Sequence, residues 1–173
     1  TYEMKSTDIC ANDDGGKTKK EADKQEVKLS SNNDTGEDWS GMRDLDHSSK
    51  NVQTIVKAYL DMLLNDFGYA GFRYDMVKGY SGKFTGIYNT VTKPTYSVGE
   101  YWEGDVNKVK NWLESTKVNE QITSAAFDFP IRYVVRDAIN AKWSTVKTDG
   151  LANDNSYKQY AITFVENHDT EYR

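Results

Sequence analysis

Carboxylate side chains follow or close four short apolar stretches in this sequence. Asp75 follows "AGFRY", Glu100 closes "TYSVGE", Asp128 lies in "TSAAFDF", and Asp169 closes "YAITFVENHD". Carboxylates that share a cleft raise the pKa of at least one member, which makes that member a usable general acid. Any one of them alone is better explained as a helix cap or a solvated turn. Several at equivalent positions favour a carboxylate-based active site.

Arg73 and Asp75 are two residues apart at the end of the first of these stretches. Side chains at that spacing point to the same face of a strand. An arginine beside a carboxylate keeps that carboxylate ionised and therefore nucleophilic. One neutral carboxylic acid and one ionised carboxylate are what a retaining glycosidase needs.

Helical and strand patterns alternate from about residue 50 onward. The stretch "NVQTIVKAYLDMLLNDFG" has apolar residues at helical spacing, with Ser48 or Ser49 as N-cap and Gly68 as a stop. Further helices are predicted around Phe84–Tyr88, in "DVNKVKNWLEST" after the cap Asp105, and over residues 131–141. Alternating helices and strands indicate an α/β fold with a parallel sheet. In a parallel barrel the carboxyl ends of all strands open on one face, where active sites form.

Residues 11–44 are polar and have almost no apolar periodicity. They are either disordered or a long loop that a metal ion orders. The net charge is −5 and there is no basic stripe, so we expect no nucleic-acid partner. We expect no membrane span, because no apolar run is long enough. From the polar start without Met we expect no signal peptide here and a chain that is a piece of a longer one.

Three motifs together resemble conserved regions of the α-amylase family, glycoside hydrolase family 13. They are "GFRYDMVKGY", "SVGEYW" and "FVENHDT", and they occur in the family's order. The segment "NDTGEDWSGMRDLDH" is similar to the calcium-binding part of domain B in plant-type members. The resemblance implies a loop-rich domain B remainder in residues 1–47. It also implies part of a (β/α)8 TIM barrel, strands four to seven, in residues 48–173.

Roles for the motif residues follow from the resemblance. Asp75 matches the nucleophile and Arg73 the arginine that holds it ionised. Glu100 matches the general acid/base, and Asp169 matches the third carboxylate, which binds sugar hydroxyls. His168 would hydrogen-bond the same sugar, although a histidine at a strand end is otherwise best explained by packing.

Further substrate contacts are implied around these motifs. Lys78 matches a lysine that lines a leaving-side subsite, although its spacing alone indicates a solvated loop residue. Tyr101 and Trp102 either stack on glucose rings or pack against the barrel rim. His47, in "DLDH", is as readily structural as functional.

Calcium is the cofactor that the resemblance implies. Asp34, Asp38 and Asp44 match carboxylate ligands, and Gly79 matches a residue that supplies a main-chain oxygen. Calcium prefers such oxygen-rich shells. The ion would join domain B to the loop that carries Asp75.

The family's motif near its third strand, its first three strands and its eighth strand are not found in this sequence. We therefore interpret the chain as an internal fragment and expect the 173 residues alone not to hydrolyse starch. The function implied is retaining endo-hydrolysis of α-1,4-glucosidic bonds in an α-glucan. The alternatives are a transglycosylase or α-glucosidase of the same family, or a non-catalytic sugar-binding relative. By analogy, we expect a secreted, periplasmic or cell-surface protein that is monomeric when complete.

Overall fold

One parallel sheet is the centre of the fold, and its strands are neighbours in the same order in which they occur along the chain. The computed structural model describes residues 2–140, 143 and 150–170. The helices and strands of this described part are α1 (Lys17–Lys24), α2 (Lys50–Asn65), β1 (Gly71–Tyr74), α3 (Gly82–Thr92), β2 (Tyr96–Gly99), α4 (Val106–Ser115), β3 (Ala125–Phe127), α5 (Phe129–Ile139) and β4 (Ala161–Ile162). The predicted alternation of helices and parallel strands is confirmed.

Strand β1 divides its side chains between two environments. Phe72 and Tyr74 are buried on the face that packs against the helices, whereas Arg73 lies on the opposite face. The hydrophobic core lies between the sheet and helices α2 to α4, and it contains Leu60, Phe72, Tyr74, Val77, Phe84, Tyr88, Val109, Trp112, Leu113, Ala126 and Leu151. The strand therefore uses its apolar side for stability and leaves its charged side for chemistry.

The register between β1 and β2 places two carboxylates side by side. Tyr74 is paired with Gly99, and the Glu100 backbone N–H donates to the Tyr74 carbonyl at 2.9 Å. Asp75 and Glu100 each follow directly after one of these paired residues. They consequently leave the sheet at the same edge and on neighbouring strands.

Helix caps occur where the sequence predicts them. Ser49 Oγ accepts from the Asn51 N–H at 3.2 Å at the start of α2, and Asp105 Oδ1 accepts from the Asn107 N–H at 2.8 Å at the start of α4. Gly68 follows α2 with a positive φ of 73°, which other residues adopt only with strain. These local signals are confirmed because they depend on few neighbours.

The fourth strand is much shorter than predicted. A strand running to Asp169 is wrong, since β4 ends at Ile162. Beyond it the Phe164 ring packs edge-on against Phe129, with ring centroids 4.9 Å apart. The chain then turns at Asn167, whose carbonyl accepts from the Thr170 N–H at 3.1 Å. Aromatic packing and this turn replace the strand pairing.

Two helices also have bounds that differ from the predictions. Helix α3 extends from Gly82 to Thr92 and is longer than the predicted stretch. Helix α5 begins at Phe129, two residues early, because Asp128 caps it and Pro130 fits its first turn. Residue 141, the last of the predicted helix, lies outside the described residues.

The polar segment of residues 11–44 is folded and contains α1, which its lack of apolar periodicity did not predict. Buried aspartates order it by accepting hydrogen bonds. Asp14 Oδ2 accepts from Thr18 Oγ1 at 2.6 Å, and Asp13 Oδ1 accepts from the Trp39 N–H at 3.1 Å. The structure thus favours the ordered alternative over disorder.

Within the described residues, no helix combines the length and the apolar character that crossing a membrane requires.

Candidate active site

Arg73 joins the two carboxylates that leave β1 and β2. Its Nη1 lies 2.7 Å from Asp75 Oδ1, and its Nη2 lies 2.8 Å from Glu100 Oε1. The guanidinium therefore forms a hydrogen-bonded ion pair with Asp75 and a close ion pair with Glu100, whose Oε1 has no hydrogen-bond partner among the described residues. Arg73 contacts Asp75, the residue to which the sequence pairs it, and its contact with Glu100 was not predicted.

The two carboxylates differ sharply in environment. Glu100 is 3% exposed, whereas the Asp75 side chain is 67% exposed. Burial, and secondarily the adjacent Asp75, raises the pKa of Glu100 above its ordinary value, although the Met76 backbone N–H and Arg73 oppose the shift. Glu100 can consequently hold a proton at pH values where an exposed glutamate is ionised.

Met76 has an unusual backbone conformation between the two carboxylates. Its φ of 43° lies in the left-handed region, which is strained for a residue with a side chain. In this conformation its N–H donates to Glu100 Oε2 at 3.2 Å. The turn after Asp75 thereby supplies a donor that supports the ionised form of Glu100.

Lys78 is held by two glutamates that the sequence reasoning did not single out. Its Nζ lies 3.0 Å from Glu37 Oε2 and 3.4 Å from Glu103 Oε2. Burial lowers the pKa of Lys78, but these carboxylates outweigh that effect and leave the pKa raised. The Glu37 N–H also donates to the Lys78 carbonyl at 2.8 Å. No local sequence pattern predicts this pair, because Glu37 and Lys78 are 41 residues apart in the sequence.

Tyr101 and Trp102 point into different surroundings. The Tyr101 ring stacks on Trp112 with centroids 5.9 Å apart. Trp102 stacks on Phe129 at 4.8 Å and donates its Nε1–H to the Tyr133 hydroxyl at 2.8 Å. Trp102 keeps 36% of its surface exposed, so one side of it is free to contact a ligand.

His168 and Asp169 form a local pair. His168 Nε2 lies 3.0 Å from Asp169 Oδ2, and the Asp169 N–H donates to Asn167 Oδ1 at 3.0 Å. In the described part of the chain, no hydrogen bond or ion pair links Asp169 to Asp75 or Glu100. The structure thus places the predicted catalytic carboxylates Asp75 and Glu100 together, whereas Asp169 lies in a separate turn after β4.

A cavity of about 380 Å³ lies between the loop that follows β1 and the polar segment of residues 11–44. Its lining residues are Asp13, Glu37, Asp38, Trp39, Met42, Arg43, Asp44, Leu45, His47, Asp75, Met76, Lys78, Gly79 and Tyr80. Two of the predicted metal-binding carboxylates and Gly79 therefore share a cavity with the candidate nucleophile.

Asp44 lies close to two other carboxylates of the polar segment, those of Asp34 and Asp13. Asp44 Oδ2 is buried without a hydrogen-bond partner among the described residues. Burial, and then Asp34 and Asp13, raise the pKa of Asp44 to about 8. A Cβ at Gly79 would lie 3.9 Å from Asp44 Oδ2, so the backbone there is close to this unpaired oxygen.

Asp38 lies apart from that cluster. Its Oδ1 accepts from the Gly15 N–H at 3.1 Å, and it contacts Asp13 rather than Asp44. In the part of the chain that the structure describes, no three His, Cys, Asp or Glu side chains converge closely enough to hold a metal ion. The donors at Asp34, Asp44 and Gly79 fit a hard cation, but the set is not assembled.

His47 is packed into an aromatic cluster. Its ring stacks on Tyr80 with centroids 4.2 Å apart, and its Nδ1 lies 2.7 Å from the Tyr88 hydroxyl. Burial lowers the pKa of His47 to about 4, with Asp46 opposing the shift. Of the two interpretations of this residue, the contacts favour the structural one.

Comparison with curated proteins gives consistent relatives. The chain is 30% identical over 156 residues to a probable α-amylase 2 of Arabidopsis thaliana, covering 80% of this chain and 37% of that protein. It is 32% identical over 143 residues to an α-amylase of Geobacillus stearothermophilus, covering 78% and 25% respectively. A chloroplastic α-amylase 3 of Arabidopsis thaliana is 27% identical over 80% of this chain and 17% of its own length. The chain thus spans well under half the length of these relatives.

Fold comparison agrees with the sequence relatives. The structure of an α-amylase from Malbranchea cinnamomea superposes with a TM-score of 0.56 at 21% identity, over 73% of this chain and 26% of that one. No family model matches the sequence. The sheet, its parallel order and the relatives together confirm the resemblance stated from the motifs. The chain is a homologue of the α-amylases, and its fold is part of a (β/α)8 barrel.

Proposed function

We propose that the protein carrying this chain hydrolyses internal α-1,4-glucosidic bonds with retention of configuration. The observation that carries the proposal is the contact of Arg73 with both Asp75 and Glu100 at the ends of neighbouring parallel strands. The relatives' names support the bond type, since they include α-amylases and a glucan 1,4-α-maltotetraohydrolase of Stutzerimonas stutzeri.

Glu100 and Asp75 are suited to opposite roles in the first step. Glu100, with its raised pKa, protonates the leaving glycosidic oxygen, while the exposed Asp75 attacks the anomeric carbon. Retaining enzymes place such carboxyl groups about 5–5.5 Å apart, close enough for direct attack. Arg73 holds the Asp75 carboxylate in place at 2.7 Å.

The same contacts explain how Glu100 can change role in the second step. When Asp75 is esterified to the sugar, its negative charge is gone, and with it one cause of the raised pKa of Glu100. Arg73 and the Met76 N–H then act on Glu100 alone and favour its ionised form. Glu100 can accordingly deprotonate the water that releases the product.

The remaining predicted residues are proposed as substrate contacts. Asp169 and His168 would bind sugar hydroxyls, and Trp102 offers an exposed aromatic face for a glucose ring. The Lys78 ammonium forms ion pairs with Glu37 and Glu103, and a contact with the substrate would be made while these two partners hold it. The stacking of Tyr101 on Trp112 supports the packing alternative given for this residue.

We further propose that residues 1–47 belong to a domain B segment, residues 48–173 to the barrel, and that calcium binds between them. Asp34 and Asp44 would hold the ion with the Gly79 carbonyl, and Asp38 would approach from the same cavity. The unpaired buried oxygen of Asp44 supports this, because an ionised carboxylate there needs a partner. Calcium would supply the positive charge that neutralises these carboxylates. A rise in melting temperature with calcium, abolished by Asp44→Asn, tests the site.

Product analysis on soluble starch separates the candidate functions. Mixed maltooligosaccharides that are initially α-anomers indicate the proposed hydrolase, and Glu100→Gln should abolish them. Glucose alone indicates an α-glucosidase, and longer glucans formed from shorter ones indicate a transglycosylase. Binding without products indicates a sugar-binding relative and overturns the proposal.

Location and assembly remain predictions. Secretion is expected only by analogy, and one relative is named as a chloroplastic enzyme. We likewise expect the complete protein to be monomeric and the 173 residues alone to be inactive.

A further inference from the structure

A further ion pair joins the two loops that carry Asp75 and Glu100. Lys78 lies three residues after Asp75 and Glu103 three residues after Glu100, so the two occupy equivalent positions beyond the paired strands β1 and β2. Lys78 Nζ lies 3.4 Å from Glu103 Oε2. Arg73 thus links the two carboxylates at the strand ends, and the pair of Lys78 and Glu103 links the loops further on.

Glu103 is fixed within its own loop, so it can serve as an anchor. Its Oε1 accepts from the Gly104 and Asp105 N–H groups at 2.8 and 3.1 Å. Its Oε2 also accepts from Lys108 Nζ at 3.1 Å, and its side chain is only 18% exposed. The Asp105 N–H, and then the ammonium groups of Lys108 and Lys78, lower the pKa of Glu103 to about 2, although burial opposes the shift. Glu103 is therefore an ionised and well-held carboxylate.

The turn after β1 needs a restraint of this kind. Met76 lies in the left-handed region with a φ of 43°, and strained residues persist where the surrounding structure fixes them. In this conformation the Met76 N–H donates to Glu100 Oε2 at 3.2 Å, and the Val77 N–H donates to the Glu100 carbonyl at 3.3 Å. Lys78 is the next residue, so its ion pair with Glu103 restrains the turn directly beyond these two backbone donors.

Glu37 contacts Lys78 from the other side but is the more weakly held partner. Its Oε2 lies 3.0 Å from Lys78 Nζ, yet its side chain is 55% exposed and the pair is screened by water. Glu37 ties the turn to the polar segment of residues 11–44. Glu103 belongs to the same loop as Glu100, so a restraint from Glu103 fixes the Met76 N–H relative to the Glu100 carboxyl.

We propose that Glu103 is a positioning residue for Glu100: through Lys78 it holds the turn in the conformation in which the Met76 N–H donates to the Glu100 carboxyl. The contacts of the Glu103 carboxylate in the described structure are with its own loop and with two lysines, so it acts on Glu100 through the turn. Its importance for catalysis rests on the proposed function, in which Glu100 is the acid/base. Its effect on the Glu100 carboxyl can be measured without turnover.

The test measures the pH at which Glu100 ionises, by ¹³C NMR of the protein that carries this chain, labelled with ¹³C-glutamate. Glu100→Gln identifies the Glu100 carboxyl signal. Glu103→Gln keeps an oxygen for the N–H groups of its own loop but removes the charge that holds Lys78. Without the Met76 donor, the ionisation constant of Glu100 should fall by roughly tenfold, as expected for one lost hydrogen bond to a charged group.

The direction of the change separates positioning from charge alone. Removing a nearby negative charge favours ionisation of Glu100, so charge alone would raise its ionisation constant. Arg73 and Asp75, the charged groups that act on Glu100 from β1 and from the loop after it, are unchanged in the variant. A second readout is the Met76 amide signal in protein labelled with ¹⁵N-methionine, identified with Met76→Leu. This signal should follow the ionisation of Glu100 in the parent and should no longer follow it in Glu103→Gln.

Lys108→Gln is the matched control, because it removes the other ion pair of the same carboxylate and leaves the contact with Lys78. It should leave the ionisation constant of Glu100 unchanged. An unchanged or higher ionisation constant in Glu103→Gln overturns the proposal, and so does an equal fall in Lys108→Gln. If Glu103→Gln does not fold, Glu103→Asp decides the question. Its shorter side chain keeps the charge but withdraws it from Lys78, so the same fall is expected and an unchanged constant overturns the proposal.

Activity measurements separate this proposal from the proposed function. In the complete enzyme, the basic limb of the pH profile of kcat/KM should move to higher pH in Glu103→Gln, because this limb reports the acid in the free enzyme. Absence of hydrolysis by the parent refutes the proposed function. The NMR measurements on Glu100 and Met76 decide the positioning role in either case.

Discussion

Replacing Arg73 by glutamine removes the one cation that contacts both carboxylates in the described structure. Opposite charges about 4 Å apart attract by about 4 kcal/mol at an effective dielectric constant of 20. That figure applies to the buried contact with Glu100, whose side chain is 4% exposed. The contact with Asp75 is worth at most about 1 kcal/mol, because the Asp75 side chain is 67% exposed and screened by water.

The cost of Arg73→Gln should depend on pH in a defined direction. Burial already raises the pKa of Glu100, so ionising this group opposes folding. Without Arg73, Glu100 stays protonated at low pH and so avoids most of the free-energy cost of burying an unpaired charge. As pH rises from the unfolded value of about 4.3 through the raised folded pKa, the ionised group is buried without its partner. We expect the loss of unfolding free energy to be small at pH 4 and about 3–4 kcal/mol at pH 8.

Urea unfolding of the protein and the variant at both pH values measures this difference. Arg136→Gln is the matched control, since its ion pair with Asp137 is exposed, and it should change the free energy by less than about 0.5 kcal/mol at either pH. A loss for Arg73→Gln that is equal at both pH values, or larger at pH 4, would refute the reasoning. Hydrolysis by the variant should also fall, because the nucleophile loses its anchor.

Three further predictions concern the groups around the site. In the parent protein Asp128 caps α5 and its Oδ2 accepts from the Ala152 N–H at 2.9 Å. Asp128→Ala removes the cap and leaves this N–H without an acceptor, so it should lower the free energy of unfolding in urea by about 2–4 kcal/mol. Asp105 is an exposed cap, so Asp105→Ala should lower the free energy of unfolding by only about 1 kcal/mol. Equal losses for Asp128→Ala and Asp105→Ala would contradict the account. Between pH 7 and pH 4 the free energy of unfolding of the protein should fall by up to about 3 kcal/mol more than that of the His47→Phe variant. The folded pKa of His47 is lowered to about 4 from an ordinary value near 6.5, so protons bind the unfolded chain preferentially in that window, and parallel pH profiles would contradict this. Gly36→Ala should reduce both calcium-dependent stabilisation and activity, because a Cβ there collides with the backbone of Lys78 and Gly79. Gly104→Ala is the control. A Cβ at Gly104 contacts the Tyr133 ring at 3.2 Å, so this variant should behave as the parent.

The parts of the molecule that the sequence predicts are those set by close neighbours in the chain. The spacing of Arg73 and Asp75 indicates a shared face, and the apolar stretches before Asp75 and Glu100 predict strands that the structure pairs in register. The caps at Ser49 and Asp105 follow from single residues at helix starts.

The parts that escape prediction depend on contacts between distant segments. Lys78 has the sequence context of a solvated loop lysine, yet it is held by Glu37 and Glu103. The polar segment gives no helical periodicity because α1 buries only Thr18 and Ala22. The end of β4 is decided by aromatic packing of Phe164, which a strand pattern does not reveal.

Chemical rescue with azide tests the central assignment most directly, using a substrate with an activated leaving group. If Asp75 is the nucleophile, azide should restore turnover to Asp75→Ala by attacking from the opposite face and should give a β-glycosyl azide. If Glu100 is the acid/base, azide should intercept the glycosyl-enzyme of Glu100→Ala and give an α-glycosyl azide. The account predicts this pair of products. The reverse assignment of anomers, or β-azide from both variants, would contradict it.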